Sequence, residues 1–80
     1  MKIPRDLDAD ELIALLSDFG YEVTRQKGSH IRLTTFENGE HHITIPQHTL
    51  LKIGTLSSIL NEVADHFGIS KKELSERLFG

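Results

Sequence analysis

His30 follows a glycine and a serine and opens an alternating segment, Lys27-Gly28-Ser29-His30-Ile31-Arg32-Leu33. Imidazole gives and takes protons near neutral pH, so a histidine held beside a turn can serve as a general base or a general acid. Arg25, Lys27 and Arg32 lie within five residues of it. Cations so placed can grip an anionic substrate such as a nucleic-acid phosphate. Together these groups suit cleavage of RNA by its own 2′-hydroxyl. That reaction needs a base for the hydroxyl proton, an acid for the leaving 5′-oxygen and positive charge for the phosphorane, and no metal. The expected roles are His30 as base or acid, with Lys27 and Arg32 holding phosphate. Backbone N–H groups at Gly28 and Ser29 offer a further anion contact. Strict alternation groups Arg25 with Tyr21 and Val23, which leaves its place in the site open. His48 and Lys52 follow the third strand and are expected to approach His30, His48 as a second acid or base and Lys52 as a phosphate contact.

The elements that must carry these groups follow from pattern. Asp8 and Glu11 form a carboxylate capping box ahead of Leu12, Ile13, Leu15, Leu16 and Phe19, which recur at helical spacing until Gly20. Alternation predicts strands over residues 21–26, 30–36 and 41–46. Ile31 and Leu33 must share a face, as must Ile43 and Ile45. A two-residue Asn38-Gly39 turn pairs odd positions with even ones and splits these apolar sets between faces. A three-residue loop Glu37-Asn38-Gly39, with Gly39 left-handed, sets Leu33 opposite Ile43 and Ile31 opposite Ile45. The second pairing is therefore predicted, with His30 opposite Pro46. Arg32, Thr34, His42 and Thr44 then share the polar face with His30.

Thr55 is the expected N-cap of a second helix whose buried stripe is Leu56, Ile59, Leu60, Val63, Ala64 and Phe67, stopped by Gly68. Ser70 with Glu73 predicts a capping box on a short final helix over 70–79. The order α-β-β-β-α(-α) implies an α+β fold, a two-layer sandwich of a three-stranded antiparallel sheet with helices on one face. Double-stranded-RNA-binding domains share this shape. One domain over 1–80, with its core at 8–69, accounts for the length.

Composition narrows the function classes. The formal net charge is −3, with 38% hydrophobic and 26% charged residues, as in ordinary globular domains. Positive charge is local: Arg25, Lys27 and Arg32 against Glu22 give +2 over residues 21–36, while residues 1–20 carry −3. Screening beyond about 8 Å lets the local value govern a contact. There is no cysteine, so thiol catalysis, disulfides and a Cys-based zinc site are excluded. No apolar run approaches the ~20 residues of a membrane span, and the start lacks the apolar stretch of a secretory signal. A cytoplasmic location is the expectation.

The other histidines have plainer readings. His41 shares parity with Ile43 and is expected to be partly buried, whereas His42 is a solvated strand residue. Adjacent strand residues point to opposite faces, which argues against a zinc site at His41, His42 and His48. His66 is expected to cap the end of the second helix. No metal and no cofactor is expected. Three function classes remain: a ribonuclease, a non-catalytic RNA-binding module and a protein-interaction domain. As an RNA platform the sheet is poor in aromatics, with Phe36 as the outward candidate.

A family resemblance rests on the amphipathic helix ending in Phe19-Gly20-Tyr21, on Lys27-Gly28-Ser29-His30, on His42-Ile43-Thr44-Ile45-Pro46 with His48, and on Ile53-Gly54-Thr55-Leu56 with Ile59-Leu60. In that order and spacing, over roughly residues 10–69, the chain resembles the HicA toxins, the mRNA interferases of HicA–HicB toxin–antitoxin modules. The resemblance implies a double-stranded-RNA-binding-domain-like fold, cleavage of mRNA without the ribosome, and neutralisation by a HicB-like antitoxin. It also implies that His30, in the Gly-Ser-His motif, is catalytic. The sequence preference on RNA, the antitoxin's identity and the oligomeric state are not encoded in these motifs.

Overall fold

The computed structural model describes residues 4–47 and 50–80. Helix α1 (Ala9–Leu16) starts at Asp8, whose Oδ1 accepts from Glu11 N at 2.8 Å while Glu11 Oε1 accepts from Asp8 N at 3.2 Å. Both halves of the capping box are formed. The helix buries Ala9, Leu12 and Leu16, then tightens into a 3-10 turn over Ser17–Phe19. Gly20 ends it at φ +83°, a conformation that costs a glycine little. A Cβ at Gly20 would also lie 2.8 Å from Thr35 Oγ1 and run into the Glu37 carboxylate.

The sheet holds β1 (Glu22–Lys27), β2 (His30–Thr35) and β3 (His41–Pro46), antiparallel in the order β1-β2-β3. Between β2 and β3 the pairs run His30↔Pro46, Ile31↔Ile45, Arg32↔Thr44, Leu33↔Ile43, Thr34↔His42 and Thr35↔His41, the register that the parity argument predicts. Ile31, Leu33, Ile43 and Ile45 are all buried. The connecting loop differs in detail: Asn38 (φ 58°) as well as Gly39 (φ 100°) is left-handed. Asparagine tolerates that region, and here its side chain gains a partner, donating to the His66 carbonyl at 2.8 Å.

Strand β1 departs from simple alternation. Lys27↔His30, Gln26↔Ile31 and Arg25↔Arg32 pair around the two-residue turn Gly28-Ser29, but beyond a bulge at Thr24 the pairs become Val23↔Leu33 and Glu22↔Thr34. Gly28 has φ +59°, as a type II′ hairpin turn requires at its first central position. Without the bulge, Val23 and Arg25 would share a face. One extra residue lets Val23 side with apolar Leu33 and Arg25 side with Arg32.

Helix α2 (Ile53–Phe67) begins three residues earlier than expected. Lys52, not Thr55, is its N-cap, with extended backbone and no side-chain cap. Tertiary anchoring fixes this start, because Leu51 is buried and its N–H donates to the Leu7 carbonyl at 2.8 Å. Gly68 (φ 66°) ends α2, and α3 (Lys71–Phe79) follows from the Ser70 N-cap. Only half of that predicted box forms. Ser70 Oγ accepts from Glu73 N at 3.0 Å, but the Glu73 carboxylate turns to Arg77 at 2.6 Å. Leu12, Leu16, Leu33, Ile45, Leu56, Leu60, Val63 and Leu74 form the centre of the core between sheet and helices. The fold is thus α+β with the predicted element order, compatible with a double-stranded-RNA-binding-domain-like arrangement.

At the sheet end away from His30, the Tyr21 hydroxyl bonds His41 Nδ1 at 2.8 Å, and His41 stacks on His66 with centroids 4.4 Å apart. His66 Nε2–H donates to the Glu37 carbonyl at 2.9 Å, so this side chain docks the β2–β3 loop rather than capping its own helix. The α2 carbonyl end is served instead by Asn38. Burial raises the Tyr21 phenol from 10.0 to about 12, with Glu62 adding to the push. Burial also lowers the His41 imidazole, as do His66 and His42, against an opposing pull from Glu62.

Candidate functional site

The outer face of the sheet carries the candidate groups in rungs. Directly opposed residues share a face, with Cβ atoms about 5 Å apart. The first rung is Lys27–His30–Pro46 and the second is Arg25–Arg32–Thr44. His30, Lys27, Arg25 and Arg32 are all exposed. Among the described residues the ion pairs are His42–Glu40 and Glu73–Arg77, so no carboxylate neutralises the three cations of this corner. The two-residue turn completes it, because pairing outward from Gly28-Ser29 sets Arg25 opposite Arg32, and the bulge at Thr24 then shifts Val23 to the side of Leu33.

The turn that presents His30 is held from one side. Gln47 N donates to the Ser29 carbonyl at 2.6 Å, and Gln26 Nε2 donates to Gln47 Oε1 at 2.7 Å. The chain leaving β3 is thereby tied across the β1–β2 turn. A Cβ at Gly28 meets nothing within 4 Å, so the turn is open to a ligand while its φ still favours glycine. Ser29 is exposed beside it. Lys52 is exposed too, but as the N-cap of α2, and among the described contacts nothing ties its side chain to the sheet. His48 lies outside the described residues.

The third rung has another character. Thr24 Oγ1 bonds Thr34 Oγ1 at 2.8 Å, Thr34 Oγ1 bonds His42 Nδ1 at 2.7 Å, and His42 Nε2–H reaches Glu40 Oε2 at 2.7 Å. His42 is therefore engaged within the protein rather than simply solvated. Glu22, opposite Thr34, adds a second carboxylate to this end of the face. His41 and His42 are turned apart, one toward Tyr21 and His66 and the other toward Thr34 and Glu40. Among the described residues no three His, Asp or Glu side chains converge as a metal site. Phe36 is 74% exposed but lies beyond β2 at the end of the sheet remote from His30.

The corner can thus offer an exposed imidazole flanked by unneutralised ammonium and guanidinium groups. Against protein-family models, residues 9–64 match the model described as the HicA toxin of bacterial toxin–antitoxin. The chain belongs to the HicA toxin family. The matched span contains the whole outer face and the clasped β1–β2 turn and stops before α3, so it covers every candidate residue of the site. HicA membership makes the chain a toxin-type domain of a toxin–antitoxin module, in a family that generally cleaves RNA, and it implies an antitoxin partner. Comparison with curated proteins and with solved structures returned no match. No helix among the described residues is long and apolar enough to cross a membrane.

Proposed function

We propose that this chain is a metal-independent endoribonuclease, an mRNA interferase acting in the cytoplasm through His30 and silenced by a HicB-like antitoxin. One observation carries the reading: an exposed histidine shares a sheet corner with Lys27, Arg25 and Arg32, none of them ion-paired among the described residues, in a chain of the HicA family. The 2′-hydroxyl of the substrate attacks the adjacent phosphorus. Its proton goes to a base, the 5′-oxygen leaves with a proton from an acid, and the products end in a 2′,3′-cyclic phosphate and a 5′-hydroxyl. His30 serves as base or acid, a role typically worth ~10²–10⁴-fold. Lys27, with the backbone of Gly28 and Ser29, holds the phosphate while its charge develops, and Arg32 is a further RNA-phosphate contact. His48 is the candidate for the second proton transfer, and Lys52 for an outlying phosphate contact. An antitoxin that blocks the site needs an acidic surface to meet the same cations.

The test is cleavage of RNA by purified wild type and His30→Ala in the presence of a chelator, with melting curves for both. The expected result is cleavage by wild type, cyclic-phosphate ends, and loss of cleavage in a variant that melts normally. Undiminished cleavage by His30→Ala overturns the assignment. A bell-shaped pH–rate profile points to two proton-transfer groups, and a single limb to His30 alone.

A further inference from the structure

We propose that Arg25 and Arg32 form a subsite for the phosphate next to the scissile one, so that the sheet corner grips two consecutive phosphates and no more. This rests on the ribonuclease reading above and extends it to the length of strand the site requires. The two cationic rungs lie two residues apart on the same face, about 6.6 Å along the strands. That step is of the order of the spacing between neighbouring phosphates in an extended single strand. Lys27, a compact point charge, stands with His30, where the reaction occurs. Arg25 stands directly opposite Arg32. Like charges so opposed repel, and neither guanidinium has a carboxylate partner among the described residues. An anion between them reverses the sign of that interaction, and two planar forks suit a phosphate.

The limits of the track are built in. On one side the strands turn at Gly28-Ser29. On the other, the third rung is bounded by carboxylates, Glu22 opposite Thr34 and Glu40 on His42. Its hydroxyl and imidazole groups are spent on each other in the Thr24–Thr34–His42 chain. A third phosphate would meet negative charge and no free donor. The two-residue turn sets the pairing of the two arginines, and the bulge at Thr24 ends that register just beyond them.

The experiment uses oligonucleotides with a single ribonucleotide in an otherwise deoxy strand, which fixes the scissile phosphate. Phosphates are then added one at a time on the 5′ or the 3′ side. For wild type, kcat/KM should rise at least about tenfold when one neighbouring phosphate is added on one of the two sides, and change by less than about twofold for the next. In Arg25→Gln the two-phosphate substrate should fall to the level of the one-phosphate substrate, and the melting temperature should hold or rise. Binding of all-deoxy strands gives a readout free of catalysis. Its salt slope should be shallower in Arg25→Gln by about 0.7 per lost contact. Length and salt dependence unaltered by Arg25→Gln, with cleavage still dependent on His30, overturns the subsite and leaves the ribonuclease reading standing. A slope that responds to Arg25 in a protein that cleaves nothing supports the subsite and sinks the nuclease. If Arg25→Gln weakens binding of an acidic antitoxin but of no nucleic acid, the pair serves a protein partner and the proposal fails.

Discussion

Replacing Tyr21 by phenylalanine deletes one oxygen from a nearly sealed position, and its effect should change sign with pH. The ring is 1% exposed and its hydroxyl bonds His41 Nδ1 at 2.8 Å. Near pH 7 the loss of one such bond should cost about 1 kcal/mol. At high pH the balance shifts. The unfolded phenol loses its proton near 10.0, whereas the folded one keeps it until about 12. Between those values the unfolded state binds fewer protons, so wild-type stability falls as pH rises, by about 1.4 kcal/mol per pH unit and about 3 kcal/mol in all. Tyr21→Phe has nothing there to ionise. The stability order should therefore invert between roughly pH 10.5 and 11, where the ionisation loss overtakes the hydrogen bond. Urea titrations of both proteins from neutral to alkaline pH measure the difference, in which the lysine titrations common to both cancel. The chain has one tyrosine and no tryptophan, so the near-ultraviolet phenolate band reports Tyr21 alone. Parallel stability curves for the two proteins, or a phenol that titrates at its ordinary pH, would refute the reasoning.

Acid should act through the neighbouring imidazole. His41 titrates below its ordinary 6.5 in the folded protein, so the unfolded state takes up the proton first, and stability should fall as pH drops below about 6.5. His41→Gln should flatten that limb in urea titrations between neutral and mildly acid pH. Glycine positions should separate by their surroundings: Gly20→Ala meets both a left-handed backbone penalty and the Thr35 and Glu37 side chains, and Gly28→Ala meets the penalty alone. The expected costs are about 2–3 and about 1 kcal/mol, and equal thermal shifts would contradict the packing argument. Thr35→Val strips a fully buried hydroxyl that donates to the Phe19 carbonyl at 2.9 Å and accepts from Glu37 N at 3.1 Å. It should destabilise by about 1–3 kcal/mol in the same assay.

Much of the scaffold could be read from local pattern because the forces involved are local or periodic. The Asp8–Glu11 box, the stop at Gly20 and the apolar stripe of α2 depend on neighbours within a turn of helix. The β2–β3 register followed from parity alone, since Ile31, Leu33, Ile43 and Ile45 cannot be split between two faces without exposing half of them. That register by itself puts His30, Arg32 and His42 on one face, and the motif around His30 points to the family that the comparison shows.

Tertiary contacts decided what pattern could not. Whether β1 bulges depends on two side chains wanting opposite faces of a sheet whose inner side is defined only once the helices cover it, so Val23 sides with Leu33 through packing, while the two-residue turn sets Arg25 opposite Arg32. The start of α2 was set by burial of Leu51 against the segment before α1, and the partner of His66 by the approach of the β2–β3 loop. Each is a choice among locally similar energies, settled by contacts between segments far apart in the chain. Residue types along the chain specify which groups are available for chemistry. The packed fold specifies which of them stand side by side.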